Sequence, residues 1–104
     1  MSKLGELKLN SSPEEAIKVV IDEVVYDFRQ LWNTLGFWTI DILTDDNTVP
    51  LVYGVKLVSG SFLLQQYVDI PFDIKIDSEV DPTRSNIENY ILEIYSKWIF
   101  LVGK

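Results

Sequence analysis

Along Phe37–Leu43 (FWTIDIL) the side chains alternate. Trp38, Ile40 and Ile42 fall on one face and Phe37, Thr39, Asp41 and Leu43 on the other, the period-two signature of a β-strand. The next residues, Thr44–Thr48 (TDDNT), bond their own backbone and tolerate left-handed conformations. They predict a hairpin loop into a second strand over Val49–Val58. Gly54 interrupts that strand, and an interior glycine predicts local curvature at a bulge. Ser59–Ser61 (SGS) ends the strand as a turn. Phe62–Tyr67 fits either one helical turn or a short strand. Asp69–Asp81 has the composition of a loop but contains FDIKID, with Phe72, Ile74 and Ile76 on one face. In DPTRSN the proline sets its own φ and turns Asp81 away from the helical region. After it, Ser85 and Glu88 fit a capping box, and Ile87, Ile91, Ile94 and Trp98 fit a helical stripe, yet YILEIY alternates. We read a short helical turn followed by a strand.

The stretch Ser12–Trp32 admits two elements. Ser12, Pro13 and Glu15 resemble a capped helix start, and Ile17, Val20, Ile21, Val24, Phe28 and Leu31 lie on one helical stripe. Against that, Ile17, Val19, Val20, Ile21, Val24 and Val25 are β-branched residues that favour strands, with Asp22 and Glu23 as a tight turn between two of them. The balance tips only modestly toward strands.

At 104 residues, 47% hydrophobic and 24% charged, the chain has the size and balance of one globular domain. Without cysteine or histidine, thiol chemistry, disulfides and the commonest general base and zinc ligand are all missing. Paired carboxylates can cleave glycosidic bonds, but Asp45 and Asp46 sit in a loop and Asp69, Asp73 and Asp77 have no companion base. Nor does DDNT carry the ligand spacing of an EF-hand. No enzyme activity, cofactor or metal is therefore expected. The formal charge of −7, with nine scattered Lys and Arg, opposes specific nucleic-acid binding. No apolar run is long enough to span a membrane as a helix.

Tyr26 and Phe28 leading into Trp32 and Asn33, then Trp38 with Asp41, an acidic loop, Pro50, Gly54, Leu57, Gly60, Leu63, Leu64 and finally Asp81, Pro82 and Thr83 form an ordered series. In that order and spacing, over roughly Ile17–Tyr95, the chain resembles the small baseplate plug proteins of contractile-tailed bacteriophages and prophages. Asn47 stands where that pattern favours glycine. The resemblance implies a mainly β fold, a small antiparallel barrel or sandwich with one or two short helical turns, and resolves the amino-terminal ambiguity as a hairpin turning at Asp22 and Glu23. It divides the single domain into an extension at 1–15, a plug-like body at 16–95 and an apolar tail at 96–104. It also implies a non-enzymatic virion protein, made in the host cytoplasm, that docks on baseplate hub and spike proteins, with the tail tube as a further neighbour, and closes the channel. The alternative is a free-standing oligonucleotide-binding-like barrel using its surface aromatics.

The plug resemblance implies contact residues among the apolar positions. Trp32 and Trp38 flank a turn at 33–36; they are either two core rings, or one of them stands on the surface with Phe37 as an interface anchor. Leu63 and Leu64 are further candidates, with the acids of 69–81 as a polar rim. Trp98, Phe100 and Leu101 belong to a run of five apolar residues, Trp98–Val102, which either packs into the domain or adds to a neighbour's sheet edge.

Overall fold

Ile17–Asn33 is a β-hairpin in the computed structural model, which describes residues 2–11, 17–44 and 50–97. Seven strands occur among them: β1 (Ser2–Lys8), β2 (Ile17–Ile21), β3 (Val24–Asn33), β4 (Phe37–Thr44), β5 (Pro50–Lys56), β6 (Phe72–Ile76) and β7 (Ile91–Ser96). A single 3-10 turn, Ile87–Asn89, precedes β7. The strand reading prevails because Tyr26 and Phe28 alternate into the core, whereas three members of the would-be helical stripe, Val20, Val24 and Leu31, are exposed. Ser12, Pro13 and Glu15, and likewise Asp45–Val49, lie outside the described residues.

β2 and β3 pair without irregularity, Ile17 opposite Phe28 and Ile21 opposite Val24. Only Asp22 and Glu23 separate them, with φ of 51° and 70°. Two successive positive φ values define the type I′ turn, whose twist matches that of the strands it joins. Neither residue is a glycine, so the chain holds two side chains in the left-handed region.

The strands form two antiparallel sheets, one ordered β2-β3-β4-β5 and the other β1-β7-β6. Their inner faces meet. Phe72 of β6 lies edge-on to Tyr26 at 5.0 Å between centroids and stacks on Phe28 at 5.9 Å. Trp38, Ile40, Ile42, Val52, Val55, Ile74, Ile76, Leu92 and Ile94 complete the interior. This is a sandwich, and no closed barrel forms among the described residues: β2 and β1 end their sheets without bonding to each other.

Gly54 does mark a bulge: the β4–β5 register shifts twice, and Gly54 has φ of 66°. After β5 the chain crosses between sheets. Leu57 N–H donates to Trp38 O at 2.9 Å, then Gly60 N–H to Ile76 O at 2.8 Å and Leu63 N–H to Ile74 O at 3.0 Å, so residues 59–63 line the outer edge of β6. Phe62–Tyr67 is neither helix nor strand but turns, one closed by Tyr67 N–H on Leu64 O. FDIKID forms β6 with Phe72, Ile74 and Ile76 buried on its inner face.

Two further expectations change. Residues 2–8, set apart as an extension, are an edge strand paired with β7 from Ser2 opposite Ser96 to Lys8 opposite Ile91. Their continuation is latched to the other sheet by Gln30, whose carboxamide accepts from Asn10 N–H at 3.0 Å and donates to Asn10 O at 2.6 Å, imitating a ladder rung. The Ser85–Glu88 capping box does not form. Asn86 heads the 3-10 turn without a side-chain cap bond, its Oδ1 accepts from Thr83 N–H, and Glu88 receives the Ser11 hydroxyl from beyond β1. The helical turn and the strand that follow it are as expected.

The strained turn yields a stability prediction. Replacing Asp22→Asn together with Glu23→Gly, the preferred type I′ pair, relieves left-handed strain costing ~1–2 kcal/mol per residue. The urea midpoint should rise by the equivalent of about 1 kcal/mol; an unchanged or lower midpoint would show that the turn carries no such strain.

Candidate interaction surface

The hairpin β3–β4 ends in the turn at Thr34–Gly36, and its chemistry is local. Asn33 Oδ1 accepts from Leu35 N–H at 2.8 Å, its carbonyl accepts from Gly36 N–H at 2.9 Å, and Gly36 takes φ of 110°, which disfavours any side chain. Held this way, Leu35 projects outward and is 84% exposed. A leucine so presented does nothing for the core.

Behind the turn the tryptophans separate by role. They sit opposite each other in register, with centroids 5.2 Å apart at 67°. Trp38 is buried, and its indole N–H donates to Thr83 O at 3.0 Å, tying the DPTRSN loop to the hairpin. That loop is itself braced by Asp81 Oδ1 on Ser59 N–H and by the Tyr90 hydroxyl on Val80 O. Trp32 is half-buried, packs against the core from its rim, and meets the Arg84 guanidinium 5.8 Å from its ring centroid. Phe37, also half-buried, carries the Lys56 ammonium 4.8 Å from its centroid. The hairpin end thus carries a ring with a cation on each face, Trp32 with Arg84 on the Trp38 face and Phe37 with Lys56 on the other, and one exposed leucine at its tip.

Among the predicted contact residues that are described, Phe37 stands at this hairpin end, and Trp32 is the outward member of the tryptophan pair. Trp38 and Leu64 are interior, at 1% and 0% exposure, and have no surface to give a partner; Leu63 is half-buried against the core. Leu64 is enclosed because buried charges claim both its backbone groups. Its N–H donates to Asp73 Oδ1 at 2.7 Å, and its carbonyl receives the ammonium of buried Lys97, which also donates to Tyr67 O at 2.9 Å. Burial pushes the Lys97 pKa down, and the Asp73 charge opposes that shift. Asp73 therefore leaves the expected acidic rim, being fully buried, with its second carboxylate oxygen unpartnered among the described residues; Asp69, Asp77 and Asp81 remain exposed. Trp98, Phe100 and Leu101 lie outside the described residues.

Leu35, Arg84 and Lys56 escaped sequence reasoning. The one signal for Leu35 was an apolar residue inside a turn; nothing local announces that Arg84, 52 positions from Trp32, reaches its ring.

Asp41 braces the β4–β5 bulge. It stands one pleat from Trp38's face and accepts from Gly54 N–H at 2.7 Å, so its buried carboxylate fills the gap the bulge opens in the ladder. On the three-stranded sheet, a groove of about 410 Å³ runs past Glu6, Asp77, Ser78, Asn89 and Glu93. Glu93 is committed there: it accepts from the Tyr95 hydroxyl at 2.8 Å and from Lys3 at 3.1 Å, and these contacts, the tyrosine first, hold its pKa below the usual carboxylate range. That is opposite to the raised pKa a general acid needs. No group of three or more acids that could hold a metal occurs among the described residues.

Residues 4–97 match the family described as "Cyanophage baseplate Pam3 plug gp18". No curated protein matches the chain.

Two variants test these contacts. Asp41→Ala leaves the Gly54 N–H without its charged acceptor and should lower stability by about 2 kcal/mol, read from chemical denaturation. Glu93, with a folded pKa below 4.5, adds stability above that pH and loses it as pH falls through the folded value. Glu93→Gln should flatten the acid limb of a plot of stability against pH; an identical slope would remove Glu93 from that limb.

Proposed function

The chain belongs to the cyanophage baseplate plug family, and from that membership we propose that it works as a structural plug in a contractile phage tail, docking in the central hub and spike region and occluding the channel. The match over residues 4–97 carries this reading, since it spans the described fold almost from end to end. Membership also implies a virion tail component with a structural role.

The surface supports contact as the means. Leu35 at the hairpin tip is strongly exposed, with Leu31 exposed and Phe37 half-buried on one face of the same hairpin end beside Lys56, and exposed apolar side chains with a charged neighbour suit a protein interface. A non-enzymatic role agrees with Glu93 being held ionised. The oligonucleotide-binding alternative gains nothing here: Trp38 is buried, Trp32 already has Arg84 on its ring, and the net charge remains −7.

The test is binding to purified hub and spike proteins from the same tail. Leu35→Asp should leave the melting temperature unchanged, because the side chain touches little of its own fold. It should weaken hub binding roughly thirtyfold, the effect of losing a contact worth about 2 kcal/mol. Wild-type protein that binds no tail component overturns the plug reading; undiminished binding by the variant moves the contact away from the hairpin tip.

A further inference from the structure

The cations of this chain are unevenly committed. Lys3 pairs with Glu6 and Glu93, and Lys18 pairs with Asp27. Lys97 spends its ammonium on Leu64 O and Tyr67 O, while the charges of Lys8 and Lys75 act on Glu88 and Glu93. Arg84, Lys56 and Arg29 differ: none has an ion pair among the described residues, and all three stand at or beside the β3–β4 hairpin end. Arg84 lies over Trp32 on the Trp38 face, and Lys56 lies over Phe37 on the other. Arg29 is the next outward position behind Leu31. Asp41 stands opposite it, but that carboxylate is buried and accepts from Gly54 N–H. Asp81, the acid nearest to Arg84 in sequence, accepts from Ser59 N–H.

Between these cations the surface is apolar. Leu35 is exposed at the tip, Leu31 is exposed behind it, and no acid occurs from Phe28 to Ile40, the whole distal half of the hairpin. Asp22 and Glu23 sit instead beyond the other end of β3, whose ten residues span roughly 30 Å. With a net charge of −7, the chain as a whole repels an acidic partner, and this end attracts it, which fixes the orientation of approach. A phosphate backbone would use the cations but not the leucine between them.

We propose that the hairpin end is received by an apolar pocket rimmed with carboxylates on another baseplate protein, Leu35 entering the pocket and Arg84 and Lys56 meeting acids on either side of it. The inference rests on the plug reading and adds to it the chemistry of the partner. Each cation is already held against a ring, so less side-chain freedom is lost on docking. Charges at such a rim set orientation and the rate of encounter, while the enclosed aliphatic contact holds the complex.

The full chain is titrated with purified hub and spike proteins of the same tail. Raising salt from about 0.1 M to about 1 M shortens the screening length from about 10 Å to about 3 Å and should weaken wild-type binding. Arg84→Glu combined with Lys56→Glu should weaken binding roughly a hundredfold at the lower salt and remove that salt dependence. Lys75→Glu alters net charge in the same sense on the other sheet and should bind like wild type. Should the double variant fail to fold by circular dichroism, carbodiimide coupling of the wild-type complex replaces it. That reagent joins an ammonium to a carboxylate in contact with it, as an amide with loss of water, and should link Lys56 to an Asp or Glu of the partner. Undiminished binding by the folded double variant, an equal loss in Lys75→Glu, wild-type binding that strengthens with salt, or partner links from Lys3, Lys8 or Lys75 in place of Lys56 would each overturn the proposal while leaving the plug reading standing. Binding of the free protein to single-stranded DNA that the double variant loses would assign the cations to phosphate and overturn it as well. A wild type that binds no tail component overturns both.

Discussion

Two sheets that share no named strand must be held together by what they bury, and in this protein that duty centres on Phe72. Its ring reaches from the three-stranded sheet to Tyr26 and Phe28 of the four-stranded one. The burial of such a side chain contributes on the order of 2–3 kcal/mol, and aromatic contacts add to it. Everything placed at the hairpin end inherits its position from this packing: β3 carries both Phe28 and Trp32, and β4 carries Ile42 and Trp38 on the same inner face.

The packing also constrains where polar groups can go. Asp41, Asp73 and Gln30 are buried, yet each takes over a bond the backbone cannot make for itself: at the Gly54 bulge, at Leu64 in the crossing segment and at Asn10 after β1. Irregular backbone would otherwise leave buried N–H groups unpaired, each costing ~1–3 kcal/mol. The same residues therefore explain why a chain with bulges and a sheet-to-sheet crossover keeps one arrangement. A virion component gains from that rigidity, since an interface on a fixed scaffold loses less entropy when it docks.

Surface and interior divide the aromatic residues accordingly. Trp38 fills the core and pins a distant loop, Trp32 caps the rim of the same face with Arg84 over its ring, and Phe37 with Lys56 stands on the opposite face beside the exposed Leu35. The chain belongs to the baseplate plug family.

Alternation in FWTIDIL, FDIKID and YILEIY pointed to β4, β6 and β7, and the Gly54 bulge was written in one residue, because these depend on neighbours along the chain; the helical turn before β7 was expected from a Ser85–Glu88 capping box that does not form. The hairpin at Asp22–Glu23 was only weakly legible: β-branched residues and a helical stripe coexist there, and family resemblance rather than local physics decided it. What the tertiary structure alone settled is every property that depends on residues far apart in sequence. It made 2–8 a strand through β7, enclosed Leu64 through Asp73 and Lys97, and chose Trp38 over Trp32 for the core. Periodicity tells which side chains share a face; only the packing of one sheet on another tells which of them that face will cover.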